Sequence, residues 1–109
     1  MIKIAVFASG SGTNAENIIR YFEGSQRALV SMVVTDNPAA GVLERARRHE
    51  VQEVVIPRQD FREKGTEIAD FMRLNGVDFI VLAGFLSLVP AELVRAYEGR
   101  MVNIHPALL

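Results

Sequence analysis

Asn103 and His105 stand two residues apart in the stretch Asn-Ile-His-Pro. In an extended strand alternate side chains share a face, so these two point one way and Ile104 points the other. Two steps of strand rise set their backbones roughly 6–7 Å apart, which lets the side chains converge on one small group. Histidine titrates near neutrality and can act as general acid, general base or, protonated, as an electrostatic stabiliser. An asparagine amide can donate to an oxyanion. A carbonyl substrate would use both. The plainer alternative is a satisfied strand-end histidine with a structural asparagine beside it. Pro106 cannot extend the ladder of a central strand, so the strand ends there and the histidine sits at the mouth of a sheet.

A second group of chemistry-bearing residues is Ser-Gly-Ser-Gly-Thr-Asn at 9–14. Gly10 and Gly12 permit a tight turn and a close approach to the backbone. The turn feeds a helix, whose first N–H groups and positive dipole end favour a phosphate. Thr13 and Asn14 add side-chain donors. Two functional readings compete. Gly10, Gly12 and Ala15 fit G-x-G-x-x-A, and Asp36 falls near the place of a ribose-binding acid, as in the Rossmann-type dinucleotide-binding domain of an oxidoreductase. The rival is a site for one phosphate monoester built on Gly12, Thr13 and Asn14. A structural reading leaves Thr13 or Asn14 as a helix cap only. No Gly-Lys-Ser/Thr follows, which excludes a Walker loop.

Around these residues the chain alternates apolar runs with helical spacing. Strands are expected over 2–8, 28–35, 51–56, 77–84 and 100–105. Helices are expected over 14–22, 39–50, 62–76 and 90–99, the third of them at least from Thr66. Gly76 suits a left-handed helix stop, and Pro90 and Gly99 bracket the last helix. Strict alternation predicts an open, mostly parallel Rossmann-like α/β sheet with helices on both faces. Ligands of such sheets bind beyond the C-terminal strand ends, here residues 9–14, 35–38, 57–62, 83–89 and 103–109. The apolar loop at 83–89 would suit a flat heteroaromatic ring, or would simply pack under the next helix. His49 closes an arginine-rich helix and reads as a surface histidine near the negative end of the dipole. Arg45, Arg47 and Arg48 read as a solvated helix face.

The chain has 109 residues, half of them hydrophobic, and a formal charge of -1. That suits one packed domain, with no basic footprint for nucleic acid. No apolar run approaches the roughly 20 residues of a membrane span. With no cysteine and two histidines, a metal site is not expected. The composition is compatible with a cytoplasmic protein.

Together, Phe-Ala-Ser-Gly-Ser-Gly-Thr-Asn at 7–14, Glu-Arg-Ala-Arg at 44–47, Val-Leu-Ala-Gly-Phe at 81–85 and Asn-Ile-His-Pro-Ala-Leu-Leu at 103–109 resemble the phosphoribosylglycinamide formyltransferase family of purine biosynthesis. The Asn-x-His-Pro stretch is common to the wider formyl-transfer group; the glycine loop points to the glycinamide enzyme. The resemblance implies formyl transfer from 10-formyltetrahydrofolate to the amine of 5-phosphoribosylglycinamide. No metal and no covalent enzyme intermediate are implied. Gly12, Thr13 and Asn14 would hold the ribotide phosphate. Arg62, Leu86, Ser87, Leu88, Val89 and Asn103 would contact the folate, with Leu86 to Val89 lining its pterin pocket. Asn103 and His105 would be catalytic, and Asp36 would have no ribose to hold. Family members continue past this motif, adding strands and an aspartate that orients the histidine. Residues 1–109 are therefore expected to form the N-terminal, ribotide-phosphate-binding and partly catalytic portion of one domain. That portion would be inactive alone and prone to associate through its edge, and a homo-oligomer of the whole enzyme is left open.

Overall fold

The computed structural model describes residues 1–104. Five strands, β1 (Ile2–Phe7), β2 (Ala28–Thr35), β3 (Gln52–Val55), β4 (Phe79–Ala83) and β5 (Met101–Ile104), form one sheet in the order β3-β2-β1-β4-β5. Every pairing is parallel. Five helices connect them: α1 (Thr13–Phe22), α2 (Val42–Arg48), α3 (Arg58–Glu63), α4 (Gly65–Leu74) and α5 (Ala91–Ala96).

Both faces of the sheet are buried, which is why the central strands read as unbroken apolar runs. Ile4, Val6, Val33, Val81 and Ala83 pack against Ala15 and Ile19 of α1 and Val42 and Ala46 of α2. Ala5, Phe7, Met32, Val34, Ile80 and Leu82 pack on the opposite face against Phe61, Ile68, Met72, Leu93 and Tyr97. Strand β2 changes face partway. Val30 belongs to the first core and Met32 to the second, because the register with β1 slips between Ile4 and Ala5. Ser31 is the extra residue of this bulge, and its hydroxyl donates to the Ile4 carbonyl at 3.4 Å.

Two helix boundaries differ from the sequence reading. The helix expected over 39–50 starts at Val42, with Gly41 as its N-cap. The segment 62–76 is two helices broken at Lys64, and the first of them begins earlier, at Arg58. Lys64 leaves helical geometry at the break (φ -126°, ψ 42°), and the residue after it is tightly packed. Gly65 lies so close to α5 that a Cβ there would stand 2.8 Å from Pro90 Cβ and 2.5 Å from Glu92 Oε1. Gly76 adopts φ 71° as expected of a left-handed stop.

Candidate functional site

Strand β1 delivers the chain to the C-terminal edge at Ala8, whose N–H donates to the Val34 carbonyl at 2.9 Å. Ser9 N–H then donates to the Gly84 carbonyl at 3.2 Å, tying the ends of β1 and β4 together. The next two carbonyls turn toward α2. Gly10 C=O accepts from Val42 N–H at 3.1 Å, and Ser11 C=O accepts from Arg45 Nε at 2.6 Å. A trans peptide places each C=O antiparallel to the following N–H. The N–H groups of Ser11 and Gly12 therefore point away from α2. Gly12 is the N-cap of α1 in the left-handed region (φ 79°, ψ 23°), and no side chain caps the helix. The first intrahelical donor is Glu16 N–H, to Gly12 C=O at 2.8 Å. The N–H groups before it are the orphan donors of a helix start.

These groups border a cavity of about 210 Å³ lined by Gly10 to Asn14, Ala83 and Gly84. Of the sequence-predicted residues, Gly12, Thr13 and Asn14 thus come together in one place. The capping alternative fails, since neither Thr13 nor Asn14 caps the helix. The two glycines have different reasons. At Gly10 an added Cβ would meet nothing within 4 Å. At Gly12 it would lie 2.5 Å from Val42 Cβ and 2.8 Å from Val42 Cα, so the close approach there is to α2.

The dinucleotide alternative is not supported, and Asp36 is its clearest failure. The side chain has no exposed surface, and its Oδ2 is engaged by the Ser87 hydroxyl and by Arg58 Nη2 at 3.4 Å. A carboxylate sealed in this way cannot present itself to a ribose. Burial pushes this carboxyl up, but the Ser87 and Ser9 hydroxyls, its own backbone N–H and Arg58 outweigh burial, leaving it below its ordinary 3.8. Its Oδ1 has no hydrogen-bond partner among the described residues.

The loop after β4 divides by side. Phe85 packs inward, its ring edge-on to Phe7 and Phe61 with centroids 5.4 and 5.0 Å apart. Ser87 is buried and Val89 packs on the same core. Leu86 and Leu88 stand outward, 78% and 63% exposed. Phe85 and Val89 thus follow the packing reading of this loop, while Leu86 and Leu88 leave apolar surface at the sheet edge. Arg62 lies on the exposed side of α3 with Arg58 and Gln59, and makes no ion pair among the described residues. Asn103 is exposed and sits beside Leu82 in the β4–β5 register. Ile104 packs on the α1–α2 core and Met101 on the other, so Asn103 faces the side of the sheet opposite to Ile104. His105 lies outside the described residues.

Two sequence expectations are revised behind the glycine loop. His49 is not a free surface group. Its Nε2 lies 2.9 Å from Glu16 Oε2 and its Nδ1 3.2 Å from Glu23 Oε2, with the side chain 15% exposed. Glu16 first and Glu23 second hold it above its ordinary 6.5. Nor are the arginines a plain solvated face. Arg45 joins Glu16 to the Ser11 carbonyl, Arg48 lies 3.6 Å from Glu16, and Arg47 pairs with Glu53 at 2.7 Å. His49 is the largest cause that lowers Glu16 below 4.5; Arg45 and Arg48 add to it and burial opposes. The roles of Arg45 and Val42 behind the loop, and of Ser9 beneath it, left no local signal in the sequence, because each partner lies tens of residues away.

Among the described residues, no group of three or more His, Asp or Glu could hold a metal ion, and no helix is long and apolar enough to cross a membrane.

Residues 2–109 match the sequence model of the family described as formyl transferase. The phosphoribosylglycinamide formyltransferase of Bacillus subtilis is 38% identical over 113 aligned positions, which take in 100% of this chain and 58% of that protein. The chloroplastic phosphoribosylglycinamide formyltransferase of Arabidopsis thaliana is 42% identical over 98% of this chain and 38% of its own length. The crystal structure of glycinamide ribonucleotide transformylase 1 from Geobacillus kaustophilus superposes with a TM-score of 0.88 at 42% identity, over 100% of this chain and 60% of that one. The chain thus spans between about two fifths and three fifths of the length of these relatives.

Proposed function

The chain belongs to the formyl transferase family, and from that premise we propose that it supplies the ribotide-phosphate site and part of the catalytic site of an enzyme that formylates 5-phosphoribosylglycinamide in purine biosynthesis. The formyl donor is 10-formyltetrahydrofolate, and the seat of the reaction is the cytoplasm. The observation that carries this reading is the cavity at the start of α1, bordered by Gly10 to Asn14. It offers what a phosphate dianion needs: orphan N–H donors, the positive end of a ten-residue helix, and the side chains of Thr13 and Asn14. The open space at Gly10 lets the ribotide come close to the backbone.

The folate side rests on Leu86 and Leu88. Two outward leucines on the ligand edge of a parallel sheet suit one flank of a flat heteroaromatic ring. Ser87 and Val89 act beneath them, and Arg62 is available to an acidic part of the same ligand. Bound 10-formyltetrahydrofolate supplies an electrophilic formyl carbon. The chain's own residues do the rest. Asn103 donates its amide N–H to the formyl oxygen as negative charge gathers there. Protonated His105 adds a second donor and passes a proton toward the departing folate nitrogen, while the ribotide amine gives one up. The C–N bond to the ribotide forms first, giving a tetrahedral intermediate; its C–N bond to the folate then breaks, and the proton from the amine replaces the one that His105 gave. Donors of this type contribute about 3–4 kcal/mol each to such a barrier.

The test is formyl transfer by the full-length protein, followed by folate absorbance and paired with calorimetric titration of each ligand. Asn14→Ala is expected to weaken the ribotide more than the folate, and equal loss for both would sink the phosphate assignment. His105→Ala is expected to reduce kcat far more than it raises either dissociation constant. Normal turnover with only a lower Tm would make that histidine structural.

A further inference from the structure

Beneath the loop at 84–89 lies a buried charge that the proposed chemistry does not use. Asp36 leaves the end of β2 with its side chain fully buried. Its Oδ2 accepts from the Ser87 hydroxyl, fifty-one positions along the chain. Arg58, at the start of α3, is the one cation paired with it among the described residues, at 3.4 Å. A charge placed there is costly unless hydrogen bonds and a partner charge compensate its desolvation.

The same loop is tied at two further points. Ser9 N–H donates to Gly84 C=O at 3.2 Å, and Ser9 Oγ accepts from Leu86 N–H at 2.8 Å. Phe85 is wedged between Phe7 and Phe61. Four successive residues, Gly84 to Ser87, are therefore each held by a different interaction. Apolar packing holds Phe85 in any case. What decides the facing of the residues after it is the polar set, because a free loop with four apolar side chains would turn Leu86 and Leu88 inward as well. With Ser87 drawn down to Asp36 and Leu86 N–H drawn to Ser9, the two leucines are forced outward.

We propose that Asp36 is the positioning residue of the 84–89 loop: by anchoring Ser87 from the end of β2, it presents Leu86 and Leu88 as a preformed wall for the folate ring. Asp36 touches no reacting atom and acts through Ser87. This inference rests on the reading of the loop as the folate side of the site.

The experiment uses the full-length protein with three variants. Asp36→Asn keeps an acceptor for Ser87 but removes the charge, Ser87→Ala removes only the loop's hydroxyl, and Asp36→Ala/Ser87→Ala removes both. Hydrogen exchange of the Leu86 amide reports the anchor without reference to any ligand. Steady-state kinetics report its use. Ser87→Ala should speed exchange at Leu86 and raise the KM for formyl-folate about tenfold, the scale of one hydrogen bond to a charged group. The KM for the ribotide should stay within about twofold. Asp36→Asn should fall between wild type and Ser87→Ala, and the double variant should be no worse than twice the worse single variant. If Asp36 variants do not fold, Ser87→Ala alone decides. Faster exchange with an unchanged formyl-folate KM, or an equal rise in both KM values, would overturn the proposal. Wild-type protein that binds no folate would instead refute the functional reading, and the exchange result would then still accept or reject the anchor.

Discussion

Two loops leave the same edge of the sheet, and they are built in opposite ways. The loop at 9–14 is made by backbone. The Gly10 and Ser11 carbonyls are taken up by α2, the N–H groups that follow are left outward, and among the described residues Thr13 Oγ1 meets only the Ser11 hydroxyl, at 3.4 Å. The loop at 84–89 is made by side chains. A phenylalanine and a serine are sunk into the fold, and two leucines are left outside. The first arrangement favours a small, hard anion, the second a flat apolar ring. The contrast teaches that a loop's chemistry is set by what it cannot bury. Spare N–H groups remain where the carbonyls have partners, and spare apolar surface remains where the polar atoms do.

The sharpest way to break this contrast is at Gly12. Gly12→Ala puts a Cβ at 2.5 Å from Val42 Cβ and 2.8 Å from its Cα, in a left-handed conformation that alanine resists. A loss of about 2–4 kcal/mol is expected in urea denaturation. Val42→Ala should not restore it, because the clash with the main chain of residue 42 remains. Gly10→Ala has open space and should cost about 1 kcal/mol or less. If the two glycine variants are equally stable, the packing account of Gly12 is wrong.

A smaller loss is expected at Phe85. Its ring is only partly buried but bridges Phe7 and Phe61, so Phe85→Ala should cost about 2–3 kcal/mol, below the range for a fully buried ring. The nearby Leu86→Ser should change stability by no more than about 0.5 kcal/mol while weakening folate binding. Loss of stability at Leu86 would show that the loop does not divide into an inner and an outer set.

The smallest effect concerns pH and the support behind the glycine loop. His49 is held above 6.5 by Glu16 and Glu23. A raised folded pKa contributes stability that is full below 6.5 and is lost as pH rises through the folded value. Glu16 is held below 4.5, so its contribution is present above 4.5 and is lost as pH falls through its folded value. The advantage of wild type over His49→Gln should therefore be greatest between about pH 4.5 and 6.5 and shrink toward alkaline pH. Arg45 and Arg48 are the other charges at this junction. A difference independent of pH would mean that His49 acts by packing alone. Because Arg45 also holds the Ser11 carbonyl, any pH effect on ribotide affinity should follow the same direction.

Much was legible because it is local. Runs such as Ile-Lys-Ile-Ala-Val-Phe and Phe-Ile-Val-Leu-Ala announce buried strands by composition, and β2 runs over Ala28–Thr35 as its apolar pattern predicts. The turn at Gly10 to Asn14 and the left-handed stop at Gly76 follow from the only residue that enters φ > 0 without strain. The Asn-x-His spacing put Asn103 on the face away from Ile104, which is where it lies. These features depend on neighbours within a few residues, so the order of the amino acids determines them. The strand order β3-β2-β1-β4-β5, the face change at Ser31, the break at Lys64 and the occupant of the space beside Gly12 were decided only by the tertiary structure. So was the fate of Asp36, which has the position of a ribose ligand in the chain and the environment of an anchor in the fold. Each depends on residues brought together from distant segments, and pattern along one segment carries no record of which side chain will arrive from another.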